Sequence, residues 1–179
     1  SDIYAANAVP VWAMAAVTLG SARVDLQQSQ LAQLMAGGLV ALSEAGAQLV
    51  GGHTGESDAL GIGYSVTGWR EGPPNITSAG NDPVLVLTKP LGTGVIMAGN
   101  MKLAARGAWV IAAADMMARG NGLAAATLAP YRPVMTDITG FGLARHAMNL
   151  AKRSGMQGIE IDLAALPLLD GAKAMLEAG

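Results

Sequence analysis

The chain has 179 residues, of which 51% are hydrophobic and only 13% are charged. This length and apolar content support one domain or two small ones with a substantial core, and they exclude a disordered protein. A net charge of −2 with scattered Lys and Arg offers no basic patch for nucleic acid. Because there is no cysteine, a disulfide framework, a thiolate zinc site and a catalytic thiol are excluded within these residues.

The first third of the sequence predicts a short helix, a long helix and three strands. A proline at position 10 would close the first helical segment, and Gly46 falls where a glycine commonly follows the last turn of a helix. In chain order, the periodicity and composition predict a helix start at Ser1-Asp2, a strand at 11–19, a helix at 27–45 and strands at 47–50 and 60–69.

The segment Arg-Glu-Gly-Pro-Pro at 70–74 is the clearest break and the candidate domain boundary. After it the sequence predicts a strand at 84–88, helices at 93–106, 108–119, 121–128 and 140–154, a strand at 159–163 and a helix at 171–178. Long helices alternating with strands indicate an α+β or α/β fold, and no internal repeat is evident. Since the sequence starts without Met at a helix start and stops at a helix end, we expect a fragment of a longer chain.

No membrane segment is predicted. The longest nearly uncharged stretch, residues 3–21, contains Asn7, Pro10 and Thr18 and lacks the positive start of a signal peptide. We therefore expect a cytoplasmic protein without a membrane or nucleic-acid partner. The lack of cysteine agrees with that compartment.

Three glycine-rich segments predict a site for phosphate and metal. Residues 136–142 (Thr-Asp-Ile-Thr-Gly-Phe-Gly) combine one carboxylate with two hydroxyls and two glycines, and carboxylate oxygens suit Mg²⁺. Residues 51–56 (Gly-Gly-His-Thr-Gly-Glu) and 88–94 (Thr-Lys-Pro-Leu-Gly-Thr-Gly) each follow a predicted strand. There, a glycine-rich turn would let backbone N–H groups surround an anion. Neither segment matches the P-loop or the dinucleotide-binding fingerprint.

Each polar residue in these segments also has an ordinary structural interpretation. Asp2 and Asp137 could be helix-cap or turn residues. His53 is more typical of a hydrogen-bonded turn residue than of a general base. Lys89 either steadies a phosphate or ends a strand at the surface. His146 is predicted to lie on the surface or in the core of its helix.

Taken together and in this order, the motifs resemble selenophosphate synthetase (selenide, water dikinase), of the aminoimidazole ribonucleotide synthetase-like superfamily. The resemblance covers essentially the whole chain. It rests on Ser-Asp-Ile-Tyr-Ala at 1–5 with Pro10, Gly-Gly-His-Thr at 51–54, Leu-Thr-Lys-Pro-Leu-Gly-Thr-Gly at 87–94, Thr-Asp-Ile-Thr-Gly-Phe-Gly-Leu at 136–143 with His146, Ile-Asp-Leu at 161–163 and Leu-Pro-Leu-Leu-Asp-Gly-Ala at 166–172.

Two motifs look most like those in the synthetase part of fused bacterial proteins. These are Gly-His-Thr-Gly-Glu at 52–56 and Met-Lys-Leu-Ala-Ala-Arg-Gly at 101–107. In such fusions a pyridine nucleotide-disulfide oxidoreductase module, similar to NADH dehydrogenase, precedes the synthetase. The resemblance therefore raises the expectation of a fused oxidoreductase.

The resemblance implies a two-domain α+β fold with sandwich-like layers. Residues 1–72 would form the C-terminal half of the N-terminal domain, which binds ATP and dimerises, and residues 80–179 most of the C-terminal domain. The small apolar strands at 11–19, 47–50 and 60–69 exceed what one face of a half-domain can bury. We therefore expect them to pair across a two-fold axis as an isologous homodimer.

The resemblance also implies the site residues. In the family, ATP lies between the two domains, close to the dimer interface. Asp2 matches an aspartate that binds Mg²⁺ beside the nucleotide, and Asp137 matches a second magnesium aspartate. Gly52, His53 and Thr54 match a stretch that contacts the nucleotide across the dimer. The family's catalytic cysteine or selenocysteine and its essential lysine lie upstream of the residue matching Ser1, so no catalytic residue is expected within the segment, and alone it is expected to be inactive.

The implied reaction converts selenide, ATP and water into selenophosphate, AMP and phosphate, with Mg²⁺ as the cofactor. One alternative is a non-catalytic dimerisation or binding module attached to a pyridine nucleotide-disulfide oxidoreductase. Another is a different ATP-dependent enzyme of the superfamily, such as a purine-biosynthesis enzyme or a thiamine-phosphate kinase.

Overall fold

A computed structural model describes residues 1–20, 23–72 and 83–178. The chain divides into two compact units, Ser1–Pro74 and Asn75–Gly179. Pro73 and Pro74 of the predicted boundary lie outside the described residues. Helices and strands are mixed along the chain, so the fold class predicted from their alternation is confirmed.

The first unit is built around a three-stranded sheet. In space the strands lie in the order β2-β1-β3, with β1 parallel to β2 and antiparallel to β3. The long helix α2 makes the crossover that two parallel neighbouring strands require. The elements of this unit are α1 (Asp2–Ala5), β1 (Val9–Leu19), α2 (Val24–Glu44), β2 (Gln48–Glu56) and β3 (Gly61–Trp69).

Only one face of this sheet is covered. Alternate residues of β1 are buried (Ala13, Ala15, Val17, Leu19), whereas the intervening Trp12, Met14 and Thr18 are exposed. Successive side chains of a strand point to opposite faces, so this alternation separates a covered face from an open one. Helix α2 packs against β1 and β2.

Strand β2 is longer than predicted. We expected a strand at 47–50 and then a glycine-rich turn, but residues 51–56 continue the strand and pair with residues 14–19 of β1. The predicted turn at 51–56 is therefore wrong. The physical reason is the continuous ladder with β1, which gives these glycine-rich residues backbone partners that local propensity does not reveal.

The predicted helix ends in this unit are right in one case and wrong in the other. Gly46 has a φ of 71°, and the Ala47 N–H donates to the Leu42 carbonyl at 2.9 Å, which is the expected glycine-terminated helix end. By contrast, the first helix ends at Ala5, and Pro10 is a buried residue of β1 rather than the end of a helical segment.

The regular secondary structure described in the second unit consists of helices and short 3₁₀ turns. Its buried centre is formed by Ile96, Ala113 and Ala172, with Trp109 and Leu169 packed against them. No helix within the described ranges is long and apolar enough to cross a membrane. The elements are α3 (Thr93–Met101), α4 (Gly107–Ala118), α5 (Gly122–Leu128), α6 (Gly142–Arg153) and α7 (Ala172–Glu177), with short 3₁₀ turns at Ala129–Tyr131 and Leu163–Ala165.

The two strands predicted for the second unit are absent. Residues 84–88 and 159–163 are irregular apart from the start of a 3₁₀ turn at Leu163, and Val84 and Val86 are exposed. The one isolated bridge among the described residues joins Leu91 to Leu168, where the Leu169 N–H donates to the Leu91 carbonyl at 2.8 Å. An apolar run becomes a strand only if another segment completes its ladder, and neither run finds such a partner in the part of the chain that is described.

Candidate functional site

Asp2 lies on the rim of the sheet in the first unit. It is the first residue of α1, is exposed, and contributes to the lining of a cavity of about 280 Å³. The walls of this cavity come from α1, β1, β3 and the end of α2, and include Tyr4, Pro10, Tyr64 and Val66. Within the described ranges, no side-chain hydrogen bond or ion pair engages the Asp2 carboxylate, so it is available to a ligand.

The segment Gly52-His53-Thr54 lies in the middle of β2, an edge strand of the sheet. Its three residues are paired with Ala15, Ala16 and Val17, respectively. Because Ala16 is on the open face, His53 lies on that face too. A Cβ on Gly52 would overlap the backbone carbonyl oxygen of Ala15, so only glycine allows the two strands this close approach.

Within one chain, the cavity at Asp2 is not lined by residues 52–54. The cavity at Asp2 is lined by Pro10 of β1, whereas residues 52–54 pair with residues 15–17 of the same strand. Six residues of extended strand separate Pro10 from Ala16, which corresponds to about 20 Å. A ligand held at Asp2 therefore reaches neither Gly52 nor His53 through that cavity.

Asp137 belongs to an irregular segment, residues 132–139, that leads into α6. A turn follows, in which the Gly142 N–H donates to the Thr139 carbonyl at 2.9 Å and Gly142 adopts a φ of 73°, a conformation that favours glycine. Asp137 is half-buried. Within the described ranges, no hydrogen bond or ion pair uses its carboxylate, whose oxygens are therefore free for a cation.

Two side chains of α6 fix the backbone on either side of Asp137. His146 Nε2 lies 3.3 Å from the Thr139 amide nitrogen, which donates to it, and 3.4 Å from Thr139 Oγ1. Arg153 Nη1 donates to the Met135 carbonyl at 3.1 Å. The sequence interpretation of His146 as an ordinary helix residue missed this contact, and Arg153 was not singled out. Their spacing of seven residues, which places both on one helix face, was the available signal.

Lys89 is used for structure. Its ammonium group donates to the backbone carbonyl of Arg119, the residue that follows α4. A cation at this end of a helix satisfies a carbonyl that has no partner within the helix. Burial lowers the pKa of Lys89, and the nearby positive charge of Arg119 lowers the pKa further. Lys89 does not end a strand as one interpretation had it, because no strand forms at residues 84–88.

Asp2 and Asp137 each suit a hard cation, but each would supply a single carboxylate ligand. Asp2 and Asp137 each offer carboxylate oxygens, the donor type that Mg²⁺ prefers. Within the described residues, no group of three or more His, Cys, Asp or Glu side chains forms a closed metal cage. One carboxylate at a time fits Mg²⁺, which retains several waters and completes its shell with substrate phosphates.

Comparison with known proteins defines the fold. Residues 1–69 match the family model described as AIR synthase related protein, N-terminal domain. The structure resembles thiamine monophosphate kinase from Aquifex aeolicus, with a TM-score of 0.72 and 20% identity over 99% of this chain and 60% of that one. It also resembles HypE of E. coli, a hydrogenase maturation protein, with a TM-score of 0.66 and 19% identity over 98% of this chain and 55% of that one. The chain has an AIR synthase-like fold, as the motifs implied.

Sequence comparison adds that the whole chain is similar to selenide, water dikinases. It is 39% identical to the protein of that name from Trichlorobacter lovleyi, and the match covers 100% of this chain and 53% of the relative. The Geobacter metallireducens protein is 40% identical, with 100% of this chain and 52% of the relative covered. The resemblance predicted from the motifs is confirmed. The chain spans about half the length of the curated relatives that it matches.

Proposed function

We propose that the protein containing this chain is a selenophosphate synthetase, which converts selenide, ATP and water into selenophosphate, AMP and phosphate. The observation that carries this proposal is identity of 34–40% to selenide, water dikinases over the whole chain. The likeness to thiamine monophosphate kinase, at 20% identity, concerns the fold alone. The comparisons do not favour a non-catalytic module attached to an oxidoreductase.

ATP is the phosphoryl donor in this proposal. Structural support comes from AaThiL, which was solved complexed with AMPPCP and TMP and matches this chain with a TM-score of 0.69 and 22% identity. The match of residues 1–69 to the AIR synthase related N-terminal domain supports assigning residues 1–72 to the ATP-binding and dimerising domain. Residues 80–179 would then supply most of the C-terminal domain.

Asp2 and Asp137 would hold Mg²⁺ on the phosphates. Bound there, Mg²⁺ would neutralise phosphate charge and orient the transferring group. The protein's own contribution is to present each carboxylate without a partner among the described residues. The half-buried position of Asp137 limits competing water, while the exposed Asp2 lies beside a cavity with two tyrosines.

A homodimer would bring the separated parts of the site together. The open face of the sheet carries Trp12 and Met14, each a little over half exposed at 52% and 53%, next to Val9 and Trp69. Trp12 and Trp69 also line an apolar cavity of about 430 Å³. Burying such a face against a second copy is favourable. In this proposal, Gly52, His53 and Thr54 of one subunit contact the nucleotide held by Asp2 of the other at the rim of the sheet, because the Asp2 cavity itself lies on the side covered by α2.

Product analysis of the full-length protein tests this function. With selenide, ATP and Mg²⁺ under anaerobic conditions, we expect ³¹P NMR to show one phosphorus bonded to selenium, together with one AMP and one phosphate for each ATP consumed. Chelation of Mg²⁺ should stop the reaction. Consumption of ATP that does not depend on selenide, or that yields ADP, would contradict the proposal.

A further inference from the structure

Asp137 is held between two contacts that come from a single helix. Arg153 reaches the Met135 carbonyl, two residues before Asp137, and His146 reaches the Thr139 amide, two residues after it. The contacts are of opposite type, since one side chain donates to a carbonyl and the other accepts from an N–H. The five-residue stretch 135–139 is thereby fixed at both ends, while the carboxylate at its centre has no partner among the described residues.

We propose that His146 and Arg153 are positioning residues that set where the Asp137 carboxylate meets its metal ion. This inference rests on the proposed role of Asp137 as a Mg²⁺ ligand. Neither side chain touches that carboxylate in the structure; both act through the backbone. Groups that orient metal ligands from the next layer of contacts commonly change metal affinity or activity by about 10- to 100-fold when they are replaced.

The contact at Thr139 also fixes how the imidazole is protonated. Because the Thr139 N–H donates to Nε2, that nitrogen is the acceptor and a neutral ring carries its proton on Nδ1. A glutamine side chain can place its amide oxygen near the position of Nε2, whereas leucine offers a similar volume and no acceptor. These two substitutions separate the hydrogen bond from simple space filling.

The packing of α6 does not depend on these two side chains. The helix buries Ala147 and Ala151, and Ser154 Oγ closes its end on the Leu150 carbonyl at 2.8 Å. Arg153 is exposed and His146 half-buried. Substitutions at these two positions should therefore leave the helix folded, so that a change in metal binding reports on Asp137.

The test uses the full-length protein and Mn²⁺ as a spectroscopic substitute for Mg²⁺. We expect His146→Leu and Arg153→Met each to weaken Mn²⁺ binding in the presence of ATP by about 10- to 100-fold, measured by electron paramagnetic resonance. His146→Gln and Arg153→Lys should recover most of the affinity. Arg145→Met, an exposed cation on the same helix, is the matched control and should bind Mn²⁺ normally. Hydrogen exchange at the Thr139 amide should accelerate in His146→Leu only.

The outcomes separate this inference from the function on which it rests. Loss of Mn²⁺ affinity in both Asp137→Asn and His146→Leu, with recovery in His146→Gln, would support positioning. Normal affinity in His146→Leu and Arg153→Met, with loss in Asp137→Asn, would overturn positioning and leave the metal role of Asp137 intact. Normal affinity in Asp137→Asn itself would overturn both.

Discussion

At the scale of single residues, the Gly-Gly-His-Thr segment combines a packing requirement with an exposed side chain. Gly52 faces the Ala15 carbonyl so closely that no side chain fits, whereas His53, one residue later, lies on the open face of the sheet. The glycine is needed for the sheet whether or not a nucleotide binds. Its presence in the motif is therefore explained by folding, and only the neighbouring residues 53 and 54 are left to contact a ligand through their side chains.

Because only glycine fits at position 52, alanine substitutions at two glycines of β2 should differ in their effect on stability. Gly52→Ala should lower the free energy of unfolding by about 1–3 kcal/mol, because the added Cβ must push β1 and β2 apart. Gly55→Ala, three residues along β2, is the control, since a Cβ there meets nothing within 4 Å. Urea denaturation of the two variants measures the difference. Equal stabilities would show that β1 and β2 do not approach as described.

At the scale of elements, the helix ends determine how the glycine-rich loops are used. The segment that carries Lys89 resembles a phosphate loop in sequence, but the ammonium group instead caps the C-terminal end of α4 through Arg119. The same unit holds the Asp137 segment through two side chains of α6. In both loops the chain is held by contacts with a helix. In the Lys89 loop the charged group is itself used in the contact, whereas in the 135–139 loop the Asp137 carboxylate has no partner among the described residues.

We predict that Lys89 matters for stability more than for the nucleotide. Lys89→Met should destabilise the protein by about 1 kcal/mol, because the Arg119 carbonyl loses its donor. The KM for Mg-ATP should stay within about two-fold of the wild-type value, which is less than loss of one phosphate contact would cost. Lys152→Met, an exposed lysine on α6, is the control for loss of charge. A KM raised ten-fold or more with unchanged stability would place Lys89 on the phosphates instead.

Much of the element pattern could be predicted from the sequence, and the failures share one cause. Helical periodicity located α2 to within three residues at each end, a run of small apolar residues located β1, and alternation of small and apolar residues located β3. The failures at 51–56, 84–88 and 159–163 concern pairing between distant segments. An apolar run or a glycine cluster does not by itself indicate whether another strand pairs with it. Likewise Asp137 could be singled out by its motif, whereas the only sequence signal for Arg153 is its helical spacing from His146, which does not reveal a contact 18 residues away.

At the scale of the whole molecule, the proposed nucleotide site requires a second copy of the chain. One face of the sheet exposes Trp12 and Met14, and one chain leaves the cavity at Asp2 apart from residues 52–54. Pairing of two copies through the open face would bury the apolar side chains, and we propose that it also brings residues 52–54 of one copy to the rim of the other sheet, where Asp2 lies. Dimerisation and ATP binding should therefore be lost together when the open face is disrupted.

A charge on the open face tests that dependence. Trp12→Glu would place a carboxylate in the apolar contact between the two copies, so we expect the dimer dissociation constant to rise by at least about 100-fold. The KM for ATP should rise in the same variant. Val40→Glu, an exposed position on α2, is the control. Analytical ultracentrifugation of full-length protein decides the point: a wild-type monomer at micromolar concentration, or a Trp12→Glu dimer with normal ATP binding, would refute the pairing.

The proposed role of Asp137 as a Mg²⁺ ligand of a selenophosphate synthetase is tested most directly by the selenide-dependent formation of AMP by full-length Asp137→Asn. The substitution keeps the size of the side chain and removes the charge on which Mg²⁺ binding depends. We predict that kcat/KM falls by at least about 100-fold, which corresponds to about 2.7 kcal/mol of transition-state stabilisation. Thermal stability should hardly change, because no described group pairs with that carboxylate. Asp115→Asn, an exposed aspartate of α4, should keep full activity and stability. Near-normal activity in Asp137→Asn would contradict the account.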